Sequence, residues 1–289
     1  TPPCAQALID AKVMRVVIAT GDPDARVAGR GIAMLRAAGV EVTTGVMQDA
    51  ADGDHAGFFQ RITQKRPFLT LKLAGTLDGR IATATGESQW ITGPQARRAV
   101  HMMRARHDAV MVGAGTVRAD DPSLTIRGMG ITRQPVRIVV SRAMKVSPQS
   151  QLARTASTVP VWLCHGAGAD VAAWTDQGAT SLPCATTAGT VDPTDAMRIL
   201  AEKGITRVFC EGGGMLAASL LSAGLVDRLV VFSAGCAIGA EGTPMLAAMG
   251  VSKLRDAPKF ALQDVRQLGA DICHTWHRLP APDVGVAGK

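Results

Sequence analysis

Aromatic residues are scarce in this chain: its 289 residues include six phenylalanines, four tryptophans and no tyrosine. Proteins that hold single-stranded nucleic acid usually stack its bases on aromatic side chains as well as neutralising its phosphates. The scarcity of aromatic platforms therefore argues against a nucleic-acid partner, even though the formal net charge is +7.

Long apolar runs are also missing. No run reaches the roughly 18 residues that a membrane-spanning helix needs, and the N-terminus lacks the basic and apolar segments of a secretory signal. The six cysteines are scattered without close spacing, which is typical of reduced thiols rather than of a disulfide framework. These absences predict a globular cytoplasmic protein with no membrane partner.

Positive charge is concentrated between Ile91 and Lys145. This stretch holds ten lysine or arginine residues and three aspartates, an excess that equals the net charge of the whole chain. Such a patch attracts anions. Because aromatic residues are few, we expect a small phosphorylated ligand, and a nucleotide-binding or RNA-binding module without turnover is the alternative.

The stretch from Thr70 to Asp121 carries most of the predicted chemistry. An alternating strand over Phe68 to Leu73 delivers Lys72 to the edge of a loop that contains glycine. Thr92 to Gln95 has the form of a capping box with a proline in the first turn, so a helix should begin there and end near Arg106.

Helical spacing places Arg97, His101 and Arg104 on one face of this helix, opposite the apolar residues that face a core. His101 is expected to be structural. A second apolar strand, Ala109 to Val112, runs into Gly113 to Thr116, which should expose backbone amides. A loop containing Arg118, Asp120 and Asp121 is expected to follow.

The most specific local pattern is the strand, glycine turn and helix over Val208 to Leu221. Gly212, Gly214 and Ala217 fit G-x-G-x-x-A, in which glycines allow close backbone approach and the helix N-terminus offers amides to a diphosphate. A standard dinucleotide-binding unit would open its domain and carry an acidic residue at the end of the next strand. We therefore expect a phosphate-binding turn in a different α/β fold; a glycine turn needed only for helix packing is the alternative.

Other segments complete the predicted organisation. Ser141 and Arg142 follow the apolar strand Val136 to Val140, at the edge where α/β sheets usually bind ligands. Gln149 to Thr158 is expected to be a loop, and two strands around Gly269 to Asp271 are expected to form a hairpin.

The N-terminal part reads as the last β-α-β portion of an α/β layer. Its two strands are predicted over Arg15 to Ala19 and Val40 to Thr44. Gln48 to Arg66 is predicted to be a linker that contains a short helix, and a domain boundary is placed near Lys65.

Three long segments point to one family. They are LKLAGTLDGRIATATGESQWITGPQARR, VGAGTVRADDPSLTIR and VFCEGGGMLAASLL. In this order and spacing they resemble the reductase domain of the bacterial bifunctional riboflavin-biosynthesis deaminase/reductase. The first 42 residues look like the tail of that family's deaminase domain, so an N-terminally truncated member is expected.

The resemblance implies an α/β fold, with a dihydrofolate-reductase-like mixed sheet and flanking helices over residues 66–279. Residues 1–65 would be the C-terminal part of a cytidine-deaminase-like α/β domain plus a linker, and residues 280–289 a tail. It also implies NADPH-dependent reduction of the ribose of 5-amino-6-(5-phosphoribosylamino)uracil to a ribityl chain. A related reductase acting on a pterin or another phosphoribosyl compound is the alternative.

The resemblance also implies site residues. Substrate-binding positions of the family match Ser88, Arg104, Leu124, Arg127 and Glu211, and the two arginines are expected to bind the phosphate, because guanidinium groups bind it bidentately. The preference for NADPH over NADH would come from cations near the adenosine ribose, and Arg142 and Lys145 are candidates for that role. Cofactor-binding residues are expected to be Ala74, Trp90, Thr116, Asp120, Ser141, Arg142, Gly213, Gly214, Met215, Leu216, Ala217, Ala218 and Ser219.

Reduction at C1′ needs a proton donor near the acceptor atom. In the resembled fold Lys72 is expected to be that donor, with Asp120 or Glu211 orienting it. The alternatives are that Lys72 only holds a hydroxyl, that Asp120 caps a turn and that Glu211 binds substrate without proton transfer.

The deaminase half departs from the family pattern. A zinc deaminase needs a His-x-Glu unit and two cysteines to activate water at the metal. Cys4 matches the second cysteine, but the other ligands are absent from this sequence. Deamination and zinc binding are therefore expected only of the complete protein. A homo-oligomer formed through an exposed sheet edge is also expected.

Overall fold

The structure is a computed structural model and describes residues 3–279. The chain divides into two compact units, and the division falls between Phe68 and Leu69. The boundary predicted near Lys65 lies slightly earlier. Within the described residues, no helix is both long enough and apolar enough to cross a membrane. The predicted tail, residues 280–289, lies outside this range.

The first unit contains two parallel strands and three helices. Its small core is formed by Ala5, Leu35 and Val40. In chain order the elements are α1 (Cys4–Asp10), β1 (Arg15–Ile18), α2 (Arg30–Ala37), β2 (Glu41–Thr44) and α3 (Gln48–Gln64).

Helix α3 corrects the prediction of a linker with a short helix. It runs unbroken for 17 residues, although the sequence there is rich in aspartate and contains two glycines. A glycine inside a helix costs only about 1 kcal/mol, which the surrounding structure can offset. Asp49 lies in the first turn, where its charge complements the helix dipole.

The second unit is built around one large sheet. In chain order its elements are β3 (Phe68–Thr76), β4 (Arg80–Ala82), α4 (Pro94–Ala105), β5 (Ala109–Gly113), α5 (Ala114–Asp120), β6 (Val136–Ser141), α6 (Gln151–Arg154), β7 (Val161–His165), α7 (Ala172–Thr175), β8 (Thr180–Pro183), β9 (Thr186–Thr187), β10 (Thr190–Val191), α8 (Pro193–Glu202), β11 (Arg207–Cys210), α9 (Gly214–Ser222), β12 (Arg228–Ala234), β13 (Thr243–Pro244), a 3₁₀ turn (Leu254–Asp256), β14 (Phe260–Leu268) and β15 (Asp271–Arg278).

The sheet has nine strands in the order β14-β15-β12-β3-β11-β5-β6-β7-β8. Strand β12 pairs with β3 in parallel, as β11 does with β5, and β6, β7 and β8 continue in the same sense. The hairpin of β14 and β15 adds antiparallel strands at one edge. The mixed α/β sheet and the hairpin are thus confirmed.

Apolar cores cover both faces of this sheet. Leu69, Leu71 and Leu73 of β3 belong to one core, whereas Ala74 packs against the other. Side chains alternate along a strand, so Lys72 points to the same face as Ala74. Helix α4 packs on that face through Ala96 and Val100, which brings its side chains towards Lys72.

Three local predictions were wrong. Thr92 does not cap α4, because Gly93 occupies the N-cap and donates its N–H to the Asp271 carboxylate at 2.7 Å. Residues 114–120 form α5 rather than a loop, with Gly113 in extended conformation at its N-cap. The loop expected over Gln149 to Thr158 contains α6, which Ser150 caps by accepting from the Ala153 N–H.

Candidate active site

Lys72, Asp120 and Glu211 lie around neighbouring strands of the sheet. Lys72 lies in β3, Glu211 follows β11 directly, and Asp120 ends the helix that follows β5. The Glu211 N–H donates to the Met111 carbonyl at 2.9 Å, so the strand pairing holds its backbone. Ligands of α/β sheets usually bind beyond the carboxyl ends of the strands, which is where these groups converge.

Arg104 and Glu211 form a buried bidentate ion pair. Their Nε–Oε1 and Nη2–Oε2 distances are 2.5 and 2.9 Å, and each side chain is 11% exposed. Burial alone would raise the pKa of Glu211, but the charge and hydrogen bonds of Arg104 outweigh it and lower that pKa. Glu211 is therefore held as a carboxylate.

The burial of Arg104 corrects the helical-face prediction. Arg104 is only 9% exposed and lies with Ala96 and Val100 on the buried face of α4. Its third hydrogen bond runs from Nη1 to the Thr125 carbonyl at 2.8 Å. A guanidinium is tolerated there because Glu211 neutralises it, and nothing in the sequence of the helix itself reveals this partner.

The Lys72 ammonium lies near the charges of Glu211, Arg104 and Asp120 but pairs with none of them. Burial lowers the pKa of Lys72, Arg104 lowers it further, and Glu211 and Asp120 oppose that change. Its side chain has no hydrogen bond or ion pair within residues 3–279. Burial also raises the pKa of Asp120, which the Lys72 charge opposes. Lys72 is half-buried, and a partly buried lysine with a depressed pKa is suited to proton transfer.

The glycine turn after β11 lies beside these groups. Gly212 and Gly213 have φ of +96° and +77°, values that favour glycine. The Gly113 N–H donates to the Gly212 carbonyl at 3.2 Å, and a Cβ on Gly212 would lie 3.9 Å from the Lys72 carbonyl. The turn therefore lies next to both β5 and β3, so the predicted phosphate-binding turn and Lys72 share one site.

The start of α9 has the form of a diphosphate-binding site. Its N-cap, Gly213, leaves the first amides without a side-chain cap, and such amides bind phosphate oxygens. A Cβ on Gly213 would lie 3.1 Å from Thr116 Oγ1, so Thr116 borders the turn. The backbone of residues 244–247 packs against Gly214, where a Cβ would lie at 3.3 Å. The turn is thus closed on one side and needs glycine.

Trp90 lies on the loop before α4. Its side chain is 68% exposed, and the Arg97 guanidinium carbon lies 4.5 Å from the ring centroid. Arg97 is itself held by a 2.7 Å hydrogen bond from Nη1 to the Thr92 carbonyl. One face of the indole is covered by a cation. The contact between Arg97 and Trp90 was not predicted.

Ser141 ends β6 and Arg142 follows it, two strands from β11 in the sheet. Ser141 Oγ accepts from the Met144 N–H, and the Arg142 carbonyl accepts from the Gly166 N–H. The Arg142 side chain is exposed. Arg118 Nη1 donates to the Lys145 carbonyl at 3.1 Å, so three cations lie around this strand end.

The remaining predicted substrate residues lie on two loops. Ser88 is half-buried in the loop before Trp90. Leu124 has φ of +55° and is only 2% exposed as a whole residue, so it lies beneath the surface of this loop. Arg127 is exposed, and its N–H donates to His101 Nδ1 at 3.2 Å. His101, predicted to be structural, thus contacts the loop that carries the predicted substrate residues.

Cys4 is the exposed first residue of α1. Within residues 3–279 no group of three or more histidine, cysteine, aspartate or glutamate side chains is arranged to hold a metal ion. Its role as a zinc ligand of a complete deaminase domain stays a prediction.

Comparison with known proteins decides the family. The family model described as the RibD C-terminal domain matches residues 67–274. The chain belongs to the RibD C-terminal domain family. The prediction of a riboflavin-biosynthesis reductase family is therefore confirmed.

RibD relatives extend this likeness. The riboflavin biosynthesis protein RibD of Escherichia coli K12 is 38% identical over 285 residues, which cover 94% of this chain and 77% of that protein. The RibD of Bacillus amyloliquefaciens is 36% identical, with 94% and 74% covered. This chain thus spans about three quarters of the RibD proteins it matches.

Solved structures of related proteins have a similar fold. Acinetobacter baumannii RibD superposes with a TM-score of 0.86 at 32% identity, covering 97% of this chain and 77% of that one. A deaminase/5-amino-6-(5-phosphoribosylamino)uracil reductase from Thermotoga maritima gives a TM-score of 0.84 at 30% identity, covering 96% and 75%. The described fold is therefore that of RibD proteins.

The Gly213→Ala variant tests the predicted binding of NADPH at this turn. A Cβ there occupies an unfavourable positive-φ backbone and lies against Thr116 Oγ1. The dissociation constant for NADPH, measured by fluorescence titration, is expected to rise about tenfold. Gly235→Ala is the matched control, because its ideal Cβ meets nothing within 4 Å. Unchanged NADPH affinity in Gly213→Ala would show that the turn does not hold the diphosphate.

Proposed function

We propose that this chain reduces the ribose of 5-amino-6-(5-phosphoribosylamino)uracil to a ribityl chain with NADPH. One observation carries the proposal. Lys72, the Arg104–Glu211 pair and the glycine turn of Gly212–Gly214 lie close together around the adjacent central strands β3 and β11. Lys72 would be a proton donor with the Arg104 guanidinium close by, next to a glycine turn suited to the NADPH diphosphate. This combination suits reduction of a phosphorylated sugar. Membership of the RibD family supports the same substrate class.

The residues present fit an NADPH molecule. The uncapped amides at Gly213 and Gly214, with Thr116 beside them, suit the diphosphate, and Trp90 offers an exposed ring face. When bound, NADPH supplies the hydride. The remaining residues that would contact it are Ala74, Asp120, Ser141, Arg142, Met215, Leu216, Ala218 and Ser219. Ala217 was also predicted to bind the cofactor, but it is fully buried in the core under α9 and can act only through packing.

Arg104 and Arg127 are proposed to hold the substrate phosphate, with Ser88 beside it; Leu124 is buried and would support the loop by packing. A guanidinium carries five N–H groups, and the three hydrogen bonds of Arg104 leave part of this capacity for a ligand. Arg127 has no side-chain hydrogen bond within the described residues and is exposed. Arg104 would thus bind Glu211 and the substrate phosphate together, and Arg127 would contact the same phosphate from the loop.

Lys72 is proposed to supply the proton. Opening of the ribose ring gives an imine at C1′, and Lys72 Nζ donates its proton to the imine nitrogen while C1′ accepts the hydride. Glu211 and Asp120 stabilise the ammonium electrostatically, because both oppose the decrease in its pKa. Burial of Lys72 makes the proton easier to release than from an exposed lysine.

Isotope transfer tests the proposed reaction. The chain is incubated with 5-amino-6-(5-phosphoribosylamino)uracil and NADPH deuterated at the transferable nicotinamide C4 position. The product should carry deuterium at C1′ of the ribityl chain, in step with NADPH oxidation. Dihydrofolate and other phosphoribosyl compounds serve as competing substrates. Oxidation of NADPH by one of these alone would favour the alternative reductase, and absence of all oxidation would favour a binding module.

The Arg127→Ala variant should bind the phosphoribosyl substrate poorly. Loss of one charge-assisted phosphate contact is expected to raise KM for the substrate about tenfold, with little change in KM for NADPH. Steady-state kinetics with each substrate varied in turn measure this. Arg133→Ala is the control, since Arg133 lies in the same loop but pairs with Asp108 at 3.4 Å. Equal increases in both KM values would refute the phosphate assignment.

The Arg142→Glu variant should lose its preference for NADPH over NADH. We propose that Arg142, with Lys145, faces the adenosine-ribose phosphate, which NADH lacks. Reversal of one charge is expected to lower kcat/KM for NADPH about tenfold and to leave NADH little affected. Lys253→Glu makes the same charge change at an exposed loop residue. If both variants shift the preference equally, Arg142 does not face that phosphate.

We also propose that this chain does not deaminate. The proposal rests on the sequence, in which no His-x-Glu unit occurs, because a zinc deaminase needs that unit for its metal and its proton shuttle. Ammonia release from the diaminopyrimidine substrate of the deaminase reaction, measured with added zinc, should stay at background. Release above background would refute the proposal.

A homo-oligomer through the sheet edge remains a proposal as well. Strand β14 ends the sheet, and its Leu262 and Val265 are 54% and 56% exposed. Exposed apolar edge strands are prone to pair with another chain. Sedimentation equilibrium measures the state, and a monomer at all concentrations would contradict the proposal.

A further inference from the structure

The segment Ser123–Arg127 is held in place by side chains rather than by secondary structure. No helix or strand includes it, yet its backbone groups find partners from several elements. Arg137 Nη1 donates to the Ser123 carbonyl at 3.3 Å, and Arg104 Nη1 donates to the Thr125 carbonyl at 2.8 Å. A loop fixed in this way is preorganised before any ligand arrives.

Gln134 holds Ile126, the fourth residue of this segment. Its Oε1 accepts from the Ile126 N–H at 2.7 Å, and its Nε2 donates to the Ile126 carbonyl at 3.3 Å. The side-chain amide therefore satisfies both backbone groups of one residue, as a neighbouring strand would. Ile126 is only 6% exposed, so these groups lack ready access to water if Gln134 is removed.

His101 holds the end of the segment. Its Nδ1 accepts from the Arg127 N–H at 3.2 Å. Because His101 and Arg104 lie on α4, one helix binds two points of the segment, and Arg104 also binds Glu211. The loop that carries Arg127 is thus connected through a few hydrogen bonds to the carboxylate beside Lys72.

We propose that Gln134 and His101 are positioning residues for the phosphoribosyl substrate: they hold the Ile126 and Arg127 backbone so that the Arg127 guanidinium meets the sugar phosphate. The inference rests on the proposed function and deepens it. Neither residue is assigned contact with substrate, and each acts through the segment it binds.

Two variants test the positioning role. Gln134→Met keeps the length of the side chain but removes both hydrogen bonds, and His101→Ala removes the acceptor. Each should raise KM for 5-amino-6-(5-phosphoribosylamino)uracil about tenfold, the effect of one unsatisfied buried group. The dissociation constant for NADPH, measured by fluorescence titration, should not change. Gln149→Ala, at an exposed glutamine outside the site, is the control.

His101→Asn provides a rescue and a pH signature. Asparagine Oδ1 can accept from the Arg127 N–H and does not titrate near neutral pH. Protonated histidine cannot accept at Nδ1, so KM for substrate in the unmodified chain should rise as pH falls through the pKa of His101. Burial lowers that pKa, as do Arg104 and Arg127, while Glu211 and the Thr125 carbonyl raise it, so the rise should begin below about 6.5.

His101→Asn is expected to have a normal KM for substrate at neutral pH. Its KM should also lack the rise at acid pH that protonation of His101 causes in the unmodified chain. Titration of the substrate phosphate is common to both proteins and cancels in the comparison. If Gln134→Met and His101→Ala reduce the substrate with unchanged KM, the inference is overturned while the proposed function stands. Equal loss of NADPH affinity also overturns it. If the unmodified chain does not reduce the substrate, both proposals fail together.

Discussion

Replacement of Lys72 by methionine is expected to lower kcat for reduction about 10²–10⁴-fold, the contribution typical of a positioned acid or base. Methionine matches the length of the lysine stem but has no proton to give. The Lys72 ammonium lies among Glu211, Arg104 and Asp120, whereas the cofactor is expected to bind at Gly213 and Gly214. The dissociation constant for NADPH should therefore change little. Stopped-flow measurement of a single turnover, with NADPH already bound, isolates this step.

Lys203→Met is the matched control, since Lys203 is exposed at the end of α8. A Lys72→Met variant that keeps the full single-turnover rate would remove lysine from the reaction. The pH dependence has a defined sign as well. The donor must be protonated, and burial lowers the pKa of Lys72 from its ordinary 10.5, so the rate should fall as pH rises through that lower value. Lys72→Met should lack this alkaline decrease.

The Arg104–Glu211 pair should show the largest effect on stability. Arg104→Met leaves the Glu211 carboxylate buried without its partner. Glu211→Met leaves the Arg104 guanidinium buried without its partner. Each single variant is expected to lower the free energy of unfolding by about 3–5 kcal/mol, and the double variant by clearly less than the sum of the two. Urea unfolding of the four proteins at neutral pH measures this cycle.

Glu202→Gln at the exposed Arg198–Glu202 pair is the control, and it should cost at most about 0.5 kcal/mol. Single effects as small as the control would show that Arg104 and Glu211 are not coupled in solution. The pKa of Glu211 is lowered, so its contribution is fully present above the unfolded-state pKa near 4.5. It is lost as pH falls through the lower folded value, and this acid dependence should be absent in Glu211→Met.

Local patterns in the sequence were sufficient for part of this fold. The strand, glycine turn and helix around Gly212–Gly214 were predicted because adjacent glycines mark a turn, and Gly212 and Gly213 do adopt positive φ there. The hairpin around Gly269 was predicted for the same reason. Helix α3 was not, because its aspartates and glycines resemble a linker and only tertiary packing offsets their low helix propensity.

The candidate site depends on contacts that no local pattern encodes. The partner of Arg104 is Glu211, 107 positions away in the chain, and the group that binds the Gly93 N–H is Asp271, 178 positions away. Helical spacing placed Arg104 on one face with Arg97 and His101, but it could not show that Arg104 is buried there. The contact of Gln134 with Ile126 was also missed, because a glutamine that pairs with a loop backbone looks like any surface glutamine until the loop is folded.

A crystal structure of the chain with NADPH and 5-amino-6-(5-phosphoribosylamino)uracil tests the proposed function most directly. Diphosphate density is expected against the amides of Gly213 and Gly214, the nicotinamide facing C1′ of the sugar near Lys72, and the substrate phosphate at Arg127. A diphosphate bound elsewhere, or a sugar separated from the nicotinamide by packed side chains, would contradict it.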